Sequence, residues 1–132
     1  MQDSPSPRQL LQAVARYLRD EAGPALARAG DAALAYQAKV AANMLDIAGR
    51  QIDHAPAEQA AELARLQALL GEPGNLAELN QRLAQGIADG ALRPGQPGLA
   101  EDLWLTTLAK LAVDQPGYDS YRRHLGPDTE KD

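Results

Sequence analysis

Two short stretches place groups that could do chemistry at regular helical spacing. The first is KVAANMLDIAGR, residues 39–50, in which Lys39, Asn43, Asp46 and Arg50 interrupt an Ala- and aliphatic-rich run at spacings of four, three and four. At 100° per residue these four fall within an arc of about 60°. Val40, Met44 and Ile47 lie on one flank, and Ala41, Leu45, Ala48 and Ile52 continue around the other side. A lysine and an arginine here could hold a carboxylate or phosphate, with Asn43 supplying an amide. The plainer reading is a solvated face carrying an Asp46–Arg50 pair. If Asn43 and Arg50 are partly buried, they must bond to another helix or to a ligand, because a buried amide without a partner is costly. The second stretch is KLAVDQPGY, residues 110–118. Lys110, Asp114 and Tyr118 there read either as an ordinary helix terminus, with Lys110 near the negative end of the dipole, or as the edge of a partner-binding surface.

Other catalytic constellations are missing from the sequence. His54 and His124 have no partner at metal-ligand spacing, and the serines stand only at 4, 6 and 120. There is no cysteine, hence no thiolate nucleophile and no cysteine-ligated metal site. Glu58 and Glu62 share a helix face but read as solvated carboxylates. No glycine-rich phosphate loop is present. The expectation is therefore no catalytic residues, no metal and no cofactor.

The elements that must position these groups are helices. Hydrophobic residues make up 45% of the 132-residue chain, yet aromatics only 4%, and phenylalanine is absent. The apolar content is mostly Ala and Leu, which lose little side-chain entropy in a helix, whereas strands favour β-branched and aromatic residues. The fold class predicted is all-α, a bundle of about five helices.

The first helix is capped by Ser4 or Ser6, carries Leu10, Leu11, Val14 and Leu18 at helical spacing, and ends at Gly23-Pro24. The second starts at Asp31 and breaks near residue 55, before Pro56. The third runs from Pro56 to Leu70. The fourth opens on Asn75 with Glu78 three residues later, a capping box, and ends at Gly90. The fifth spans Leu99 to Asp114 and is apolar around most of its circumference, which predicts a central position with Trp104 in the core. The domain expected is residues 1–118, with 119–132 a loosely ordered tail.

A formal net charge of −5 and no basic run argue against nucleic acid and against anionic membrane surfaces. The start, MQDSPSPRQ, has neither a positive nor an apolar leader region. No apolar run approaches the roughly 18 residues of a membrane span. The localisation expected is cytoplasmic.

Three segments carry a resemblance: RQLLQAVARYLRDEAGPAL (8–26), YQAKVAANMLDIAGRQI (36–52) and LTTLAKLAVDQPGY (105–118). Together they resemble an uncharacterised bacterial family of small helical proteins, a domain of unknown function, over most of residues 5–118. That family's second helix tends to read Arg-Val-Ala-x-Asn-x-Leu-x-Ile followed by Arg-Glu. Val40, Ala41, Asn43, Leu45, Ile47 and Arg50 match, while Lys39 and Gln51 stand in place of the arginine and glutamate. The closing motif is matched by Lys110 to Asp114, Pro116 and Tyr118. The resemblance implies genes nearby for aminoglycoside-phosphotransferase-like kinases and acyl-CoA dehydrogenases, and so a shared pathway. It carries no catalytic residue over.

The function expected is a non-catalytic accessory or protein-interaction module linked to acyl-CoA metabolism, its partner such a kinase or dehydrogenase. The alternative is a binder of an acyl-CoA or phosphorylated acid, or a weak enzyme, with a pocket between the second and fifth helices lined by Asn43, Arg50, Lys110 and Asp114. A homodimer burying the Ala-rich face of the second helix is compatible with either.

Overall fold

A computed structural model describes residues 4–126, and among them every regular element is helical. In order these are α1 (Pro7–Tyr17), a π-helical turn (Leu18–Ala22), α2 (Gly23–Arg28), α3 (Ala32–Leu70), α4 (Leu76–Asp89), α5 (Leu99–Asp114) and α6 (Asp119–Leu125). The all-α expectation holds. Contacts divide the chain into two compact units, Met1–His54 and Ala55–Asp132.

The first unit is an antiparallel hairpin. Ser6 caps α1: its hydroxyl accepts from the Gln9 N–H, and the Gln9 side chain accepts in turn from the Ser6 N–H. Gly23-Pro24 does not end the helix as the dipeptide suggests. The chain widens into the π-helical turn, in which the Gly23 N–H donates to the Leu18 carbonyl, and runs on into α2 with Pro24 in its first turn. Such a turn relieves the clash a proline ring makes with the carbonyl four residues earlier. Asp31 caps α3, its carboxylate accepting from the Leu34 N–H at 3.0 Å.

The hairpin is closed by small residues. Ala15, Ala38 and Ala42 are its buried hydrophobic side chains, and Gly49 is buried with them. A Cβ on Gly49 would overlap the Arg8 guanidinium, so the missing side chain is what lets Arg8 cross α3 to Asp53, N–O 3.1 Å. The Ala-rich face of α3 is thus closed within the chain, against the first helical segment: the space beside Gly23 is bounded by the Ala35 carbonyl and the Ala38 methyl. The larger apolar residues of α1 point outward, with Leu10, Val14 and Tyr17 each about half exposed.

The second unit holds the leucine core. Leu66, Leu79, Leu83 and Leu99 are buried, with Leu63, Leu69, Leu70, Leu76 and Leu92 packed around them. Asn75 and Glu78 form the predicted capping box at the start of α4. Gly90 ends that helix at φ 81°, a conformation that costs glycine nothing. Beside the leucines sits a buried ion pair. Asp102, 3% exposed, accepts from Arg65 Nε at 2.9 Å, and Arg65 Nη2 donates to the Thr106 hydroxyl at 3.3 Å.

Three expectations need correction. The second and third helices are one: α3 continues through Pro56. A proline there removes one backbone donor and crowds the carbonyl four residues back, at a cost of about 3 kcal/mol, yet the helix accommodates it. The fifth helix is not sheathed: its buried residues are Leu99 and Asp102, while Leu103 and Trp104 are 42% and 52% exposed. Residues 119–125, expected to be loose, form α6; residues 127–132 of the expected tail lie outside the described residues.

Because α3 is continuous, Pro56→Ala should raise stability, by up to about 3 kcal/mol, in urea unfolding; a loss would mean the proline shapes a real break. Arg65→Ala should cost about 3–5 kcal/mol in the same assay, because it strands a buried carboxylate. Asp102→Ala should cost less, about 1–3 kcal/mol, because the Arg65 side chain keeps 23% exposure and reaches water.

Candidate interaction surface

The residues singled out in the sequence separate by unit. Lys39, Asn43 and Arg50 lie in the first unit, and Lys110, Asp114 and Tyr118 in the second. In the first unit the polar stripe meets a residue the sequence does not suggest. Arg19, in the π-helical turn, donates through Nη2 to Asn43 Oδ1 at 3.0 Å and to Asp46 Oδ2 at 2.8 Å. The amide of Asn43 therefore finds its partner across the hairpin. Asp46 pairs with Arg19, an ion pair between helices. Arg50 is half-buried and Lys39 is exposed.

Arg19 also borders an open recess of about 300 Å³, shared with Gln12, Ala15, Arg16, Asp20 and Asp46. Its two arginines face two aspartates, so the recess has no net charge with which to select an anion. The only sequence cue to Arg19 is its place just before a Gly-Pro step, where a π-turn can form. A period of 3.6 residues does not describe such a turn.

In the second unit, Leu103, Trp104, Thr107, Lys110 and Asp114 lie within an arc of about 120° on α5, and all five are exposed. Lys110 and Asp114 form no ion pair among the described residues. Trp104 meets His124 of α6 edge to face, ring centroids 5.3 Å apart. That contact holds α6 beside the exposed face of α5. Tyr118, at the start of α6, is 52% exposed, and α6 ends with Arg122, Arg123 and His124. The result is an apolar and aromatic surface, Leu103 and Trp104, bordered by charged groups.

Trp104 is the residue whose placement differs most from the sequence expectation. The apolar residues of α5 encircle the helix, so pattern selects no outward side, and size alone assigns a lone tryptophan inward. Glu62, read from the sequence as a solvated carboxylate, accepts from Asn80 Nδ2 at 3.0 Å and so ties α3 to α4. A second recess, about 260 Å³, lies at the N-terminal end of α5 and is bordered by Arg65, Leu69, Glu101 and Asp102; its charged wall is the ion pair of the core. Among the described residues no three His, Asp or Glu side chains group as metal ligands, and no helix is long and apolar enough to cross a membrane.

A family model described as a domain of unknown function (DUF6285) matches residues 24–118. Two of the three segments that carry the resemblance, 36–52 and 105–118, fall wholly inside that span, and the match ends at Tyr118. No curated protein and no solved structure matches the chain.

Proposed function

The chain belongs to this family, DUF6285, and from that premise we propose that it is a non-catalytic protein-interaction module. The observation that carries the reading is the exposed Trp104. A tryptophan left half in water forgoes a large burial free energy, and Trp, Tyr and Arg are the residues most enriched at the energetic centres of protein interfaces. Here Trp104 stands beside Leu103, is propped by His124, and has Lys110 and Asp114 on the same face. Tryptophan and leucine would supply affinity, and the exposed lysine and aspartate would supply orientation.

The partner proposed is a kinase-like phosphotransferase or an acyl-CoA dehydrogenase, on the strength of the gene neighbourhood that the resemblance implies, in the cytoplasm of a bacterium. The polar residues of α3 then have a structural role. Asn43 and Asp46 hold the hairpin through Arg19, and the chemistry of the pathway belongs to the partner.

The test is light scattering after gel filtration of the chain mixed in turn with each candidate partner. A co-eluting complex is expected with one of them. Trp104→Ala should weaken it by about 2 kcal/mol or more, roughly thirtyfold, with helix content unchanged because the residue is half exposed. Lys110→Ala, at the rim, should change affinity by less than about threefold. No complex with either class, or a complex indifferent to Trp104, would refute the reading.

A further inference from the structure

The single tryptophan of the chain is also the residue that the last helix touches. His124 of α6 meets the Trp104 ring with centroids 5.3 Å apart and an interplanar angle of 83°. The contact that props the indole therefore also occupies one side of it, and Trp104 is left 52% exposed. A tryptophan anchors an interface best when the partner encloses it and excludes water. A partner that encloses this indole must take the place of His124.

The packing of α6 is slight. None of its seven residues is buried, and all but Tyr121 are exposed. No side chain caps it at Tyr118, and an isolated helix shorter than about 12 residues is marginal in water. The segment leading into it, residues 114–118, is exposed throughout. Its turn is closed by the Tyr118 N–H donating to the Gln115 carbonyl at 3.0 Å. The leucine core includes no residue of α6, and neither does the Arg65–Asp102 pair, so α6 can move without disturbing either. Leu103, Trp104, Lys110 and Asp114 lie within the residues that match the family, whereas α6 lies beyond them. The shared domain carries the face but not the helix that covers part of it.

We infer that α6 is an autoinhibitory cover of Trp104. It turns on residues 115–118, holds His124 against the indole in the free chain, and is displaced when the partner binds. This rests on the interaction reading above and adds its regulation. An edge-to-face aromatic pair favours the closed position by about two- to tenfold. The partner binds the open position, so its apparent affinity falls with the fraction of chains that are closed. The restraint is modest, and anything that loosens α6 lifts it.

With one tryptophan in the chain, intrinsic fluorescence reads the cover directly and needs no partner. Acrylamide quenching of the full chain should rise in His124→Ala. It should stay at the level of the unsubstituted chain in His124→Phe, which keeps an aromatic edge on the ring. The complex with the partner should tighten by about two- to tenfold in His124→Ala and change by less than about twofold in His124→Phe. Quenching that does not rise in His124→Ala would overturn the inference. So would a complex that His124→Ala leaves equal or weaker: α6 would then belong to the contact surface, and the interaction reading would stand. No complex with either the unsubstituted chain or His124→Ala would refute that reading and this inference with it.

Discussion

In the first unit everything follows from the size of the residues on the seam. Alanine and glycine at 15, 38, 42 and 49 let the two helical arms approach closely, and close approach brings Arg8 and Arg19 within reach of carboxylates on α3. The same choice limits what the contact can contribute. Burying a methyl group removes far less apolar surface from water than burying a leucine. The hairpin therefore holds its register with ion pairs and amide bonds along one side, and it presents its bulky apolar residues along the other. Of the polar stripe singled out in the sequence, Asn43 and Asp46 bond Arg19 across the hairpin.

The second unit is built the opposite way. Its leucines are buried together and its charge is buried with them. Asp102 is deep enough that its desolvation has to be met locally, and Arg65 meets it with Nε while a second nitrogen bonds Thr106. A buried pair of this kind adds little net stability compared with apolar residues of the same volume, but breaking it is expensive. It fixes α5 against the C-terminal part of α3 in one rotational setting. That setting turns Leu99 and Asp102 inward and leaves Leu103 and Trp104 outward. The exposed tryptophan is thus a consequence of where the ion pair sits.

Under the interaction-module proposal, the charged groups fasten the fold and the exposed apolar groups meet the partner. The charged groups described here converge on one another: Arg19 on Asn43 and Asp46, Arg65 on Asp102, Arg82 on Glu72. Turned toward solvent are Leu10, Val14 and Tyr17 on α1, and on α5 Leu103 and Trp104 beside Thr107, Lys110 and Asp114, an apolar pair with polar groups around it, as at surfaces that meet other proteins.

Local signals written into neighbouring residues are legible from the sequence alone. The scarcity of aromatic and β-branched residues sets the helical class. Ser6, Asp31 and Asn75 mark helix starts because a cap involves only the next three residues, and Leu99 and Asp114 bound the fifth helix. Features that depend on residues far apart in the chain are decided only by the tertiary structure. Pro56 signals a break, but the cost of one proline is small enough for a long helix to absorb. Gly23-Pro24 signals a stop, and a π-turn carries the chain through. Which side of α5 faces inward cannot be read from a helix apolar all round; it is chosen by Arg65, 37 residues away from Asp102. The partner of the Asn43 amide is likewise chosen by the fold, and it is Arg19, 24 residues earlier. Propensity and capping act over one helical turn, whereas the partner of a charged or amide side chain is fixed only when distant segments meet.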